Sequence, residues 1–254
     1  MVGESNISLY ATLAALYSPT LRFCIHRDIA MQQPGFRILP RIQTAPDLVS
    51  LFAGLPSSIV SDNMNRLTGT WGLHPFHRPG TRLLGTALTV RVRAGDNLMI
   101  HKALALGQPG DVLVVDGDGS LDRGLIGEIM KRVAQAKHFA GVVIDGAIRD
   151  VASYREDTFP CYARGVCHRG PYKEGPGEVN VPVSISGVVV QPGDIVLGDD
   201  DGVVFVQPAD AIELAAASRR KVAAEEKTFA DIAAGTYDET WIDATLRARG
   251  VLGT

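Results

Sequence analysis

The sequence predicts an α/β fold, on three observations. Two short apolar runs, Val112-Leu113-Val114-Val115 and Val142-Val143-Ile144, flank a segment whose Ile129, Met130, Val133, Ala134 and Ala136 interleave with Lys131, Arg132 and Lys137. Short apolar runs bounded by turns read as strands buried on both faces, and the segment between them reads as an amphipathic helix, so residues 111–150 form a βαβ unit. Downstream, Ile195-Val196-Leu197 and Val203-Val204-Phe205-Val206, joined through Gly198-Asp199-Asp200-Asp201-Gly202, read as a hairpin. A chain of 254 residues that is 46% apolar and 21% charged, with 27 Gly and 14 Pro, holds a real core; it excludes a coiled coil, a collagen-like repeat and a wholly disordered protein.

The elements follow in order. Residues 1–30 contain no clear strand or capped helix and read as an N-terminal extension; residues 31–254 read as a single domain with a C-terminal helical region. Deleting Met1 to Ala30 is expected to leave melting temperature and activity nearly unchanged. After a break at Pro56-Ser57-Ser58, Ser61-Asp62-Asn63 supplies N-cap chemistry for a short helix near Met64 to Leu67. Thr86 to Arg93 alternates late in its run, as a half-buried strand does, and Gly95-Asp96-Asn97 ends it. A helix runs from Asn97 through Leu106, closed by Gly107 and Pro109-Gly110. The strand at Val112 ends in the turn Asp116-Gly117-Asp118-Gly119, the amphipathic helix covers about Gly127 to His138, and the second strand stops before Asp145-Gly146. Pro182 to Val190 reads as another strand, and a long helix from Pro208-Ala209-Asp210 to about Ala234 is ended by Gly235.

Charge and cysteine usage narrow the function. Lys+Arg 25 against Asp+Glu 28 gives a net charge of -3, so no bulk positive field holds nucleic acid or an anionic membrane. Cys24, Cys161 and Cys167 are an odd number without C-x2-C spacing, which argues against a disulfide framework and a structural zinc site, and a reducing cytoplasm is the expected setting. No apolar run approaches the roughly 18 residues of a membrane span, and Met1 to Asn6 lacks the basic start of a signal peptide. Asp116 to Ser120 fails as a calcium loop, because Leu121 and Gly127 stand where Gly and Glu are needed. It also fails as a dinucleotide loop, since Asp122 stands where the third Gly belongs. Asp199-Asp200-Asp201 reads as a charged hairpin tip, His74, His77 and Cys167-His168 as structural or solvated, and Gly170 to Glu178 as a loop bordering a site.

In a parallel pair with a crossover helix, the helix start and the loop after the second strand share the carboxyl edge of the sheet, where α/β proteins bind ligands. About 11 helical residues descend roughly 17 Å, and five or six strand residues climb back roughly 17–20 Å. Glu128 therefore meets Arg149-Asp150. The free amides near Gly127, Ile129 and Met130, with the positive end of the helix dipole, suit a carboxylate. A lone Asp with waters suits magnesium or manganese, and an Arg beside it suits a developing enolate oxygen. Together these describe chemistry on a 2-oxo acid. From spacing alone, Arg149-Asp150 also reads as a surface ion pair at a strand end.

Gly95-Asp96-Asn97-Leu98, Pro109-Gly110-Asp111-Val112-Leu113-Val114-Val115-Asp116, Gly127-Glu128, Val143-Ile144-Asp145-Gly146-Ala147-Ile148-Arg149-Asp150 and Gly198-Asp199-Asp200-Asp201-Gly202-Val203 resemble the family of class II 4-hydroxy-4-methyl-2-oxoglutarate aldolases and regulators of ribonuclease E activity. The likeness covers roughly Pro56 to Arg220. It implies an RraA-like, compact β/β/α sandwich of the swivelling phosphohistidine-domain type, assembled as a homotrimer or hexamer. The aldolase branch is marked by an acidic residue, twenty residues, then Arg-Asp; Glu128, Ile129 to Ile148 and Arg149-Asp150 match it. The resemblance implies that Asp150 ligates a divalent cation, Mg2+ or Mn2+, and that Arg149 contacts substrate and steadies the pyruvate enolate. It further implies that amides around Ile129 and Met130 take the carboxylate and that Glu128, in place of the best-described Asp, orients metal-bound water. An acidic residue of a neighbouring subunit's C-terminal helix, Glu225 or Glu226, is expected to complete the site.

The activity implied is retro-aldol cleavage of 4-hydroxy-4-methyl-2-oxoglutarate or 4-carboxy-4-hydroxy-2-oxoadipate type substrates to pyruvate, with oxaloacetate decarboxylation through the same enolate. The alternatives are a ribonuclease-binding regulatory protein, which Asp150 disfavours, and a related lyase on another 2-oxo or sugar-derived acid. A distal carboxylate requires a further cation, for which Arg91, Arg93, Lys102, Arg123 and Arg164 are candidates.

Overall fold

The computed structural model describes residues 34–66 and 68–252. The extension expected over residues 1–30, Cys24 with it, and Leu67 lie outside the described residues. From Gly35 onward the chain forms one compact unit.

The βαβ unit is present. Strand β4 (Asp111–Asp116) pairs in parallel with β6 (Gly141–Ile148), and between them run β5 (Gly124–Ile126) and helix α4 (Glu128–Ala136). On one side of this pair stands β3 (Leu83–Val92), parallel to β4; on the other stands β7 (Cys161–Val166), parallel to β6. β1 (Phe36–Ile38) and β8 (Gly177–Val179) extend the β3 edge, and β2 (His74–Pro75) extends the β7 edge. The spatial order β1-β8-β3-β4-β6-β7-β2, with β5 on β6 and the hairpin β11 (Ile195–Asp199)–β12 (Gly202–Val206) on β3, makes a ten-stranded sheet.

Both faces of this sheet are covered, which is why its central strands read as continuous apolar runs. Leu88, Val90, Leu113, Val115 and Ile144 pack against Ile100 and Leu104 of α3 (Leu98–Leu106) and Met130 and Ala134 of α4. The alternate residues Ala87, Val112, Val114 and Val143 face a second hairpin, β9 (Val183–Ile185) and β10 (Val188–Val190). A third cluster joins Ile195, Leu197, Val204 and Val206 to Phe52, to Val60 of α2 (Ser57–Asn63), and to Leu214 and Ala215 of the long α6 (Ala211–Ala234). Short α1 (Pro46–Ser50), α5 (Ala152–Arg155) and the terminal α7 (Thr240–Ala248) complete the helices.

Four expectations are corrected. The first short helix is α2, so Ser61-Asp62-Asn63 forms its last turn and does not open a helix at Met64. Its cap comes from across the fold: Ser57 donates its amide (2.8 Å) and hydroxyl (2.6 Å) to Asp199, a contact that local spacing does not encode. Pro182 to Val190 is two strands, because Ser186 (φ 53°) and Gly187 (φ 84°) adopt the left-handed pair of a type I′ turn. β3 is buried along nearly its whole length rather than half-buried. Finally, β6 continues through Asp145-Gly146 to Ile148, since Arg164 and the Ser186 amide (2.8 Å) satisfy the Asp145 carboxylate inside the sheet. α3, α4 and α6 fall where expected, and α6 ends on left-handed Gly235 (φ 68°).

Candidate active site

The site is built where β5 lies beside the end of β6. Gly124 stands opposite Ala147 and Ile126 opposite Ile148, and the Arg149 amide donates to the Ile126 carbonyl (2.9 Å). The chain then turns through Gly127 into α4, so the helix start emerges against Arg149-Asp150. Gly127 has no side chain with which to cap α4. Asp150 supplies the cap instead: its Oδ2 accepts the Glu128 amide at 3.0 Å. The amides of Ile129 and Met130 follow in the same first turn, where a helix has no carbonyl four residues back to accept them. Asp150 sits at φ 57°, a left-handed conformation that Asp tolerates better than most residues, and Arg149 Nε lies 3.7 Å from its carboxylate.

Beside this cap opens a cleft of about 100 Å3. Leu125, Ile126 and Met130 give it an apolar wall, and Arg149 and Asp150 line it with them. Sequence reasoning missed three of its polar residues: Asn97, His101 and Lys173. Asn97 is buried and donates from Nδ2 to the Leu125 carbonyl (2.9 Å), while its Oδ1 is buried without a partner among the described residues. Burial, with the Lys173 charge adding to it, holds the His101 imidazole below its ordinary pKa. A signal for these residues was present. His101 follows Asn97 by one helical turn, and Lys173 lies in the Gly/Pro-rich loop expected to border a site.

Four of the five cations named for a distal carboxylate are engaged elsewhere, and the fifth, Lys102, lies outside the cleft lining. Arg91 pairs with Glu178 (2.5 Å), Arg93 with Asp96 (3.3 Å) and Arg164 with Asp145. Arg123 donates to the Gly170 carbonyl and the Tyr172 hydroxyl, both at 2.7 Å, and Lys102 is exposed away from the cleft. Lys173 and His101 are the basic residues beside Arg149 that line the cleft.

The structure brings Gly127, Glu128, Ile129, Met130, Arg149 and Asp150 together, with one refinement. The Glu128 carboxylate reaches along α4 to Arg132 (2.6 Å), so its contact with Asp150 runs through its backbone. Glu225 pairs with Lys221 (3.6 Å) on α6, and neither it nor Glu226 lines this chain's own cleft. Among the described residues no three His, Cys, Asp or Glu side chains converge as a metal cage. The donor set fits a hard, hydrated cation such as Mg2+ or Mn2+, which takes one or two protein carboxylates and keeps most of its water.

Residues 57–205 match the profile of a family described as RraA-like, Aldolase/RraA. A Halalkalibacterium halodurans protein, provisionally named a 4-hydroxy-4-methyl-2-oxoglutarate aldolase, is 35% identical over 185 residues, 72% of this chain and 88% of the relative. A Thermus thermophilus 4-hydroxy-4-methyl-2-oxoglutarate aldolase is 41% identical over 125 residues, 49% of this chain and 76% of the relative. Among solved structures, Streptomyces coelicolor RraAS2, described as an unusual member of the RNase ES inhibitor RraA family, superimposes with a TM-score of 0.67. That match is 29% identical and covers 74% of this chain and 98% of the other. Geometry and likeness agree: the chain belongs to the RraA-like, Aldolase/RraA family.

Proposed function

We propose that the protein is a divalent-metal-dependent aldolase that cleaves 4-hydroxy-4-methyl-2-oxoglutarate or 4-carboxy-4-hydroxy-2-oxoadipate type substrates to pyruvate and decarboxylates oxaloacetate. The observation that carries this reading is the Asp150 carboxylate held on the first amide of α4, next to Arg149, in the lining of a small cleft. Asp150 is the residue to hold Mg2+ or Mn2+, its Oδ2 already oriented by the Glu128 amide. Such a cation, when bound, supplies electrophilic polarisation of a 2-oxo acid.

The chain's own residues do the rest. The Ile129 and Met130 amides, at the positive end of α4, receive the substrate carboxylate. The Arg149 guanidinium, kept over Gly127 by the absence of a Cβ there, faces the oxygen on which enolate charge develops as the C3–C4 bond breaks. Lys173 and His101, which line the same cleft, meet a distal carboxylate. The apolar wall of Leu125, Ile126 and Met130 excludes water from the carbon that gains charge. Glu225 or Glu226 of a neighbouring subunit completes the site in a homotrimer or hexamer, and the thiols of Cys161 and Cys167, free among the described residues, accord with a cytoplasmic setting.

The test is pyruvate release from 4-hydroxy-4-methyl-2-oxoglutarate and from oxaloacetate, with Mg2+ or Mn2+ and then with chelator. Release should require the metal, vanish in Asp150→Ala, and fall roughly 10²–10³-fold in Arg149→Ala, the scale of one lost oxyanion stabiliser. A second reading, a ribonuclease-binding regulator, rests on the likeness to RraAS2. No release from folded protein under any of these conditions overturns the aldolase reading in favour of that one or of a lyase on another 2-oxo acid.

A further inference from the structure

Lys131 is buried in the first turn of α4, with its side chain 5% exposed. That is an unfavourable place for a cation. The helix dipole presents its positive end there, and removing an ammonium from water costs several kcal/mol unless partners compensate. Its partners lie in the segment that follows Asp150. Lys131 Nζ donates to the Ser153 carbonyl and pairs with Asp157 Oδ2 at 2.6 Å, 5.2 Å from the centre of the Tyr154 ring. Although burial pushes the Asp157 carboxyl up, hydrogen bonds from Lys131, Gln135 and the Phe159 amide hold it below its ordinary value, so it stands as an anion.

The same segment grips Asp150. Ser153 donates its amide (3.0 Å) and hydroxyl (2.8 Å) to the Asp150 carbonyl. The fully buried Tyr154 donates its hydroxyl to the Gly127 carbonyl (3.3 Å), which also accepts the Lys131 amide (3.0 Å). Helix start and Asp150 turn are thus tied twice: at Gly127 through Tyr154, and behind Asp150 through Lys131, Ser153 and Asp157. Asp150 holds a left-handed φ of 57°, which a free loop does not maintain without such support.

We propose that Lys131 is a positioning residue that acts through Ser153 and Asp157 to hold the Asp150 carboxylate in place for the cation. The inference rests on the aldolase reading, since it presumes that Asp150 binds metal. The readout is Mn2+ affinity, measured by titration calorimetry on the full chain well below its melting temperature. Lys131→Met combined with Asp157→Asn removes the buried pair without leaving one charge alone, and should weaken Mn2+ binding about ten- to a hundred-fold, the range for partners behind a metal ligand. Ser153→Ala deletes a single exposed hydrogen bond to the Asp150 carbonyl without endangering the fold, and should weaken it about fivefold. A purely structural Lys131 would lower the melting temperature and leave the affinity of the folded protein unchanged. Parental Mn2+ affinity in folded double variant, or in Ser153→Ala should the double variant not fold, overturns the proposal. A parent chain that binds no Mn2+ overturns the aldolase reading itself, so the two failures are distinguishable.

Discussion

Gly127 shows how close the site is packed. Its backbone is extended (φ -146°, ψ -166°), a conformation open to any residue, so conformation does not demand glycine there. Space does. A Cβ at this position would overlap Asp150 Oδ2 and stand 3.0 Å from Arg149 Cγ. Gly127→Ala should therefore displace the carboxylate, the guanidinium or both, and lower pyruvate release by roughly 10²-fold, the cost of about an ångström of misplacement. The melting temperature should move little, and steady-state kinetics with a thermal melt separates the two effects. His77 illustrates the opposite case, a buried titratable group outside the cleft. It is buried, accepts the Cys161 amide on Nδ1 (2.9 Å), and has an Nε2 without a partner among the described residues. Burial holds its pKa below the ordinary value, outweighing the Cys161 carbonyl beside Nδ1 and the Asp200 charge, which favour the proton, so the folded state resists the proton that the unfolded chain takes up near pH 6.5. Its contribution is present above that pH and is lost as pH falls below it, with a slope of up to about 1.4 kcal/mol per pH unit. Asp194, pushed up to about 6 by burial, works with the opposite sign as pH falls from about 6 toward the ordinary carboxylate range. The difference between parent and His77→Gln isolates the histidine: urea melts should show the parent losing stability faster between pH 6.5 and 5.

At the scale of elements, one buried carboxylate couples the cleft loop to α3. Asp96 is fully buried; its Oδ1 accepts the Leu98 amide (2.9 Å) at the start of α3, and its Oδ2 accepts the amides of Glu174 (2.8 Å) and Gly175 (2.9 Å). The loop carrying Lys173 is therefore pinned to the helix carrying His101. Asp96→Ala leaves three amides without their acceptor and should destabilise the fold by about 2–4 kcal/mol in urea melts. It should also raise KM for substrates with a distal carboxylate more than it lowers kcat. These elements were unequally legible in the sequence. Strands β4 and β6 and helix α4 declare themselves because burial on two faces and on one face leaves different periodicities, and the meeting of Glu128 with Arg149-Asp150 follows from rise per residue. What stayed hidden depends on contacts far apart in the chain. Asp199 caps α2 from 142 residues away, and Asp145 survives inside β6 only because Arg164 and Ser186 reach it. Lys173 could be placed near the site by its loop but not ranked above Arg91 or Arg164, because their ion pairs are tertiary.

At the scale of the whole molecule, α6 is more than one chain needs. Its buried residues are Ala211, Leu214, Ala215 and Ser218; beyond them Phe229 and Ile232 are exposed, as are Trp241 and Ile242 of α7. Apolar side chains gathered on one arm mark a contact surface, and Glu225 and Glu226 lie on the same arm. The proposed function assigns this arm to a neighbouring subunit whose site it completes, and mixing subunits tests that assignment. Asp150→Ala and the double variant Glu225→Gln/Glu226→Gln should each be nearly inactive alone. In a closed ring, each site takes Asp150 from one chain and the acidic pair from the next. Co-expressed at equal levels, the two variants then place an intact Asp150 beside an intact acidic pair in about a quarter of sites, and pyruvate release should recover to that fraction of the parent's. If one chain supplies both groups, every site in the mixture carries a lesion and no activity returns. Full activity of the Glu225→Gln/Glu226→Gln protein by itself would remove both residues from the site and leave the arm a purely apolar contact.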